Sequence, residues 1–202
     1  MKKPVIAVDI DDVLADHTGA FIKWSNEKHN TNLTIEDYQE DWSQMWKISV
    51  EEAEDRADKF HSSTRGGFKP KAGSKEVLNR LKANYNLVII TARRQFIFKD
   101  TVEWINEYFE GIFTDIHLVP VRDNTSYHNA TKLTICQDIK AEYLIDDTPR
   151  HCFSVAEAGI NALLFGDFNW SRHVELPDGV SRVKDWDEVE RYFDDIKHKQ
   201  HL

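Results

Sequence analysis

The chain is poor in cysteine, has no long apolar run and carries no excess of positive charge, and each shortage removes a class of protein. Only Cys136 and Cys152 occur among 202 residues, both in helix-like segments and without metal-ligand spacing. That excludes a disulfide scaffold and a thiolate zinc site. The two thiols are expected to be small buried hydrophobes in a reducing compartment. The nine histidines also lack ligand spacing, so His17, His128 and His151 are expected to be polar neighbours of a site rather than metal ligands. No stretch is long and apolar enough to span a bilayer. Lys2-Lys3 and the apolar residues after them begin like an export signal, but Asp9, Asp11 and Asp12 interrupt it early, and the expected location is the cytoplasm. With 26 basic against 35 acidic residues, the net charge of −9 offers no broad surface for nucleic acid or anionic lipid. A local basic pocket for a small anionic substrate is compatible with that balance. Repeats and low-complexity tracts are also missing.

What is present is enough apolar and aromatic content, 41% and 11%, to build a sizeable core in one domain or one domain with an insertion. Short β-rich runs at Val5–Val8, Leu87–Thr91, Ile116–Val119, Tyr143–Ile145 and Ala162–Phe165 alternate with helical patterns. The helices are read at Ser74–Ala83, Phe96–Phe109, Lys132–Lys140, Arg150–Ala158 and Trp186–Lys197. This alternation predicts an α/β fold, a parallel sheet flanked by helices, with ligands at the edge where the strand C-termini gather. Trp170–Val180 reads as a loop.

The first connection is anomalous, because about sixty residues separate Asp16 from the helix at Ser74, far more than a crossover needs. Helical signals at Phe21–His29, Thr34–Glu40 and Val50–Phe60 predict a small helical cap over residues 17–71, inserted into a core formed by 1–16 and 72–202.

At the end of the first strand, Val5-Ile6-Ala7-Val8-Asp9-Ile10-Asp11-Asp12-Val13-Leu14-Ala15-Asp16 places four acids within eight residues. Carboxylates so crowded resist ionisation unless a cation lies among them. Capping of the following helix explains one or two of them, not four. Three later segments end at the same edge. Thr91-Ala92-Arg93 offers a hydroxyl and main-chain N–H groups for phosphate oxygens. Lys132 opens a helix and can offset charge on a nucleophile and a phosphoryl group. Leu144-Ile145-Asp146-Asp147 brings paired acids that complete a Mg²⁺ site with Asp9 and the backbone carbonyl of Asp11. Asp9 would act as nucleophile and Asp11 as general acid and base.

In that order, Asp9-x-Asp11, Thr91, Lys132 and Asp146-Asp147 resemble the four motifs of the haloacid dehalogenase superfamily of phosphatases, over nearly the whole chain. The resemblance implies a Rossmann-like core with a C1-type cap. Asp-Ile-Asp-Asp-Val-Leu-Ala-Asp and Leu-Ile-Asp-Asp are similar to the 5′(3′)-deoxyribonucleotidase group. Two departures stand out: Asp12 replaces the usual Gly, and Thr91-Ala92-Arg93-Arg94 replaces Thr-Ser-Pro. Either Asp146 or Asp147 touches the metal directly, with Asp147 the candidate for orienting Lys132 from behind.

The cap is expected to choose the substrate. Trp42, Trp46 and Phe68 are candidates for stacking on a base, against the plainer reading that they form the cap's own core. Arg65-Gly66-Gly67-Phe68-Lys69 is the expected hinge, with Arg65 and Lys69 as cations near phosphate. The expected function is Mg²⁺-dependent hydrolysis of a nucleoside monophosphate. The rivals are a phosphatase for another small metabolite such as a sugar phosphate, and a silent nucleotide- or metal-binding protein. A phosphatase acting on nucleic-acid ends is disfavoured by the acidic balance. Neither nucleic acid nor membrane is an expected partner, and a homodimer is admitted.

Overall fold

Strands Val5–Val8 (β1), Asn86–Thr91 (β2), Asp115–Leu118 (β3), Ala141–Asp146 (β4), Asn161–Phe165 (β5) and Val180–Val183 (β6) pair in parallel in the order β3-β2-β1-β4-β5-β6. The computed structural model describes residues 2–64, 67–119 and 131–200. Strand order reverses between β1 and β4, so a crevice opens outside their C-terminal ends. Val8 is in register with Ile145, which sets Asp9 and Asp146 side by side as the next residues of their strands.

The side-chain period of two sorts the apolar strand residues into two layers. Ile6, Val8, Leu87, Ile89, Tyr143, Ile145, Leu163 and Phe165 face one way. They pack under Ser74–Leu81 (α4), Phe98–Phe109 (α5) and Trp186–Gln200 (α8) through Val77, Leu78, Trp104, Ile105, Trp186 and Phe193. Val5, Ala7, Val88, Ile90, Leu144, Ala162 and Leu164 face the other way. They pack on Lys132–Asp138 (α6) and Pro149–Glu157 (α7), where Cys136 and Cys152 are fully buried. Both thiols are the small hydrophobes expected, and burial pushes Cys136 up to about 12.

Residues between β1 and α4 form His17–His29 (α1), Trp42–Trp46 (α2) and Val50–Thr64 (α3). Their aromatic interior, Phe21, Phe60 and Phe68, is continuous with the sheet's first layer. Each such side chain contributes about 1.5–3 kcal/mol by leaving water. The indole of Trp186 donates to Val13 O at 3.0 Å, tying α8 to the turn after β1.

Two expectations need correction. Thr34–Glu40 is not a helix but one 3₁₀ turn, Ile35–Asp37, because Thr34 and Asp37 cap each other reciprocally and Tyr38 is already extended. The segment read as loop up to Val180 runs into a sixth strand, β6, whose Val-Ser-Arg-Val lies at the sheet edge, mostly half-buried, and so lacks an apolar run. No helix among the described residues is long and apolar enough to cross a membrane.

Candidate active site

The four acids after β1 divide into two pairs. Asp12 sits at φ +58°, a conformation Asp tolerates better than most residues. From there its carboxylate accepts the Thr18 N–H at 3.1 Å and the Thr18 hydroxyl at 2.6 Å, capping α1. Asp16 pairs with Lys71 at 3.2 Å. The helix-capping reading is thus right for Asp12. It leaves Asp9 and Asp11, whose carboxylates serve no helix end.

The Asp9 amide extends the ladder by donating to Ile145 O at 3.0 Å, which holds its buried carboxylate at the crevice. Lys132 meets it there. Thr131 and Thr134 cap α6 reciprocally, so Lys132 is the first helical residue and its buried ammonium lies 2.8 Å from Asp9 Oδ1 and 2.6 Å from Asp146 Oδ2. Burial pushes Asp9 up to about 6. Lys132 opposes the shift, while Asp146 and Asp11 add to it.

Asp146 and Asp147 are not equivalent. Asp146 accepts from Lys132, from the Thr148 N–H at 3.0 Å and from His151 Nδ1 at 3.2 Å, so both oxygens are engaged. Burial pushes its carboxyl up, but Lys132 and His151 hold it well below the usual range. Asp147 accepts the Trp170 indole N–H at 3.0 Å, and burial together with the charges of Asp146, Asp12 and Asp9 drives its carboxyl well above the usual range. The expectation that Asp147 orients Lys132 is therefore reversed: Asp146 does so.

One oxygen from each of Asp9, Asp146 and Asp147 lies within 4.8 Å of the others. Three buried carboxylates, two of them resisting ionisation, form the all-oxygen donor set that suits a hard divalent cation such as Mg²⁺. His151 supports Asp146 and His17 lies 3.9 Å from Asp12, so both are polar neighbours as expected. His128 lies outside the described residues.

At the end of β2, Thr91 is buried and its Oγ1 accepts the Arg93 N–H at 3.3 Å, which leaves the hydroxyl hydrogen free to donate elsewhere. Ala92 and Arg93 line the same cavity of about 220 Å³ as Asp9, Asp11 and Lys132. The Arg93 guanidinium is turned to Asp11. It forks onto that carboxylate, with Nη2 2.7 Å and Nε 3.1 Å from Oδ1, and lies 5.1 Å from the Phe68 ring and 5.7 Å from the Trp104 ring. Burial would raise the Asp11 carboxyl, but Arg93 and then His17 hold it well below the usual range.

Most aromatic candidates of the insertion are not brought to the site. Trp42 stacks on Phe21 at 4.1 Å, Trp46 donates to the Ser25 hydroxyl at 2.8 Å, and Phe68 is buried beneath Arg93. Trp42 alone of the three borders an adjoining cleft of about 580 Å³, which shares Glu40, His61 and Arg94 with the central cavity. Lys69 is exposed and contributes its carbonyl to the Asp16 N–H, whereas Arg65 and Gly66 lie outside the described residues. The residues that do reach the cavity, Tyr38, Glu40, His61 and Trp170, were not selected from sequence. His61 is pushed down to about 3 by burial and by His17, and is neutral. Helical spacing offered no signal for Tyr38, which follows a 3₁₀ turn, or for Trp170, which sits in the β5–β6 connection, whereas His61 continues the Ala53 and Ala57 face of α3 one residue beyond the helix read at Val50–Phe60.

A parallel sheet reversing at β1/β4, with a carboxylate on each of those strand ends, Thr91 on β2 and Lys132 heading α6, has the architecture of the haloacid dehalogenase-like hydrolases. A haloacid dehalogenase-like family hydrolase from Streptococcus pneumoniae superposes with a TM-score of 0.68 at 16% identity, covering 95% of this chain and 98% of that one. A Bacillus subtilis HAD-hydrolase crystallised bound to magnesium superposes at 0.63 with 13% identity, covering 96% and 100%. The narrower assignment comes from sequence: the family described as "5′ nucleotidase, deoxy (Pyrimidine), cytosolic type C protein" matches residues 3–201, and the chain belongs to it. A Staphylococcus epidermidis relative called "putative 5′(3′)-deoxyribonucleotidase" is 29% identical over 204 residues, covering 98% of this chain and 99% of its own. The chain is a phosphoric monoester hydrolase of this fold.

Proposed function

We propose that this enzyme hydrolyses nucleoside monophosphates, pyrimidine deoxynucleotides foremost, with Mg²⁺ and through a phosphoryl group carried on Asp9. The observation that supports it most is the buried Asp9 carboxylate, 2.8 Å from Lys132 and beside two further acids, in a chain matched end to end by a nucleotidase family.

Asp9, Asp147 and the Asp11 main-chain carbonyl would hold the cation, with Asp146 within reach but already engaged by Lys132, Thr148 and His151. When bound, Mg²⁺ neutralises the carboxylates and the phosphoryl oxygens. Asp9 attacks phosphorus, the P–O bond to the sugar breaks, and the protonated Asp11 carboxyl gives its proton to the departing oxygen. Water then gives a proton to the Asp11 carboxylate and attacks phosphorus, and the P–O bond to Asp9 breaks. Arg93 favours the ionised Asp11 needed for that second step, so in the first step the protonated carboxyl must turn from the guanidinium fork. Thr91 Oγ1 and the Ala92 main-chain N–H donate to phosphoryl oxygens, the Arg93 N–H holding Thr91 Oγ1 in place, and Lys132 offsets charge on Asp9 and the transferring group. Residues 17–71 act as the cap, and the 580 Å³ cleft beside the phosphate cavity receives the nucleoside.

The test is a panel of deoxynucleoside monophosphates, ribonucleotides and sugar phosphates assayed with Mg²⁺, with Ca²⁺ and with excess chelator. Pyrimidine deoxynucleotides are expected to exceed sugar phosphates in kcat/KM by about tenfold or more, as a few cleft contacts would supply. Chelation should remove activity, and Ca²⁺ should inhibit because its larger, looser shell misplaces the reacting groups. A sugar phosphate as the best substrate would overturn the nucleotide assignment, and full activity in chelator would overturn the metal.

A further inference from the structure

Trp170 belongs to no motif, yet among the described residues it is the tryptophan whose indole N–H donates to a carboxylate, Asp147 Oδ2 at 3.0 Å. The indoles of Trp42, Trp46, Trp104 and Trp186 donate instead to hydroxyl or carbonyl oxygens.

Its ring is held firmly. Phe168 stacks on it at 4.4 Å with 4° between planes, and Tyr38 lies 5.0 Å away. The turn that permits the Phe168 stack requires glycine: Gly166 is at φ +87°, and a Cβ there would fall 2.1 Å from the Phe168 ring. On the next residue, the Asn169 amide donates to the carbonyls of Glu36 at 2.7 Å and Tyr38 at 3.0 Å. Arg172 pairs with Glu36 at 3.1 Å and with Asp167 at 2.8 Å. The β5–β6 connection therefore fastens the segment around Tyr38 to the core while aiming one N–H at Asp147.

From this geometry we infer that Trp170 is a positioning residue: its fixed N–H sets the rotation of the Asp147 carboxylate so that Asp147 presents an oxygen to the divalent cation alongside Asp9. The inference rests on the metal assignment made above. Donors that orient a metal-ligating carboxylate matter to affinity even though they never touch the ion, and losing one costs about 10–100-fold.

Trp170→Phe keeps an aromatic ring against Phe168 and removes the N–H. The half-saturating Mg²⁺ concentration, read from thermal stabilisation of the protein without substrate, is expected to rise about tenfold. The metal-free melting temperature should change little. A purely packing role predicts the opposite pattern: a lower metal-free melting temperature with half-saturation within twofold of wild type, which would overturn the inference. A wild type that Mg²⁺ does not stabilise would instead overturn the metal assignment, so the two failures are distinguishable. Wild-type protein labelled with ¹⁵N-tryptophan gives a check that needs no variant. One of the six indole N–H signals should shift over the same Mg²⁺ range that stabilises the fold, and no movement in any of them would also overturn the inference.

Discussion

Asp9→Asn is expected to lose turnover by roughly 10⁴-fold or more, as removal of a covalent nucleophile does, while the protein stays folded and becomes more stable without metal. The amide preserves shape but is no nucleophile and a poor cation ligand. The stability gain follows from burial, which with the neighbouring acids lifts the Asp9 carboxyl to about 6 against an ordinary 3.8. A carboxyl raised in the folded state costs stability once it ionises, so the wild-type penalty is absent below about pH 4, grows between pH 4 and 6, and is complete above. Asn has no such dependence. The metal-free melting temperature of Asp9→Asn should therefore exceed wild type at pH 7.5, with the gap closing toward pH 4. Turnover within tenfold of wild type, measured on protein free of wild-type carry-over, would remove Asp9 from its role.

Lys132→Met is expected to be the most destabilising substitution at the site. The ammonium is the shared counter-ion of two buried carboxylates, at 2.8 Å from Asp9 and 2.6 Å from Asp146, and Met leaves both without it. Breaking a buried pair from one side costs about 3–5 kcal/mol. Losing the cation raises both carboxyls, so stability drops further as pH climbs through their folded-state values. Urea unfolding of the variant should show a larger deficit from wild type at pH 8 than at pH 5. Equal deficits at the two pH values would mean that the carboxylates do not depend on Lys132.

The sheet and the motif residues were legible because both are written in local signals. Apolar runs such as Val5–Val8 and Tyr143–Ile145 lead into carboxylates that a buried strand would not choose, and parallel crossovers carry those ends to one edge. Asp9, Asp11, Thr91, Ala92, Arg93, Lys132 and Asp147 do line one cavity or pack against it. Their pairing was not legible. Whether Arg93 turns to phosphate or to Asp11, and whether Lys132 binds Asp146 or Asp147, depends on side-chain directions and on distances of an ångström or two, which spacing does not encode. The insertion was harder still. Its aromatics show the same helical periodicity whether they fill an interior or line a cleft: Trp46 packs inward on Phe21 and Ser25, while Trp42 both stacks on Phe21 and borders the cleft. Trp170 left no trace in the sequence because its importance comes from a contact between residues 23 apart, made by a loop.

The chemistry assigned to Asp9 is tested most directly by rapid-quench mixing of wild-type protein and Mg²⁺ with a ³²P-labelled pyrimidine deoxynucleoside monophosphate, followed by peptide mapping of the protein-bound label. The expected result is an acyl phosphate on Asp9 that forms and decays fast enough to account for turnover, with no label on Asp9→Asn. Steady hydrolysis with no protein-bound phosphate at any quench time, or label on a residue other than Asp9, would contradict it.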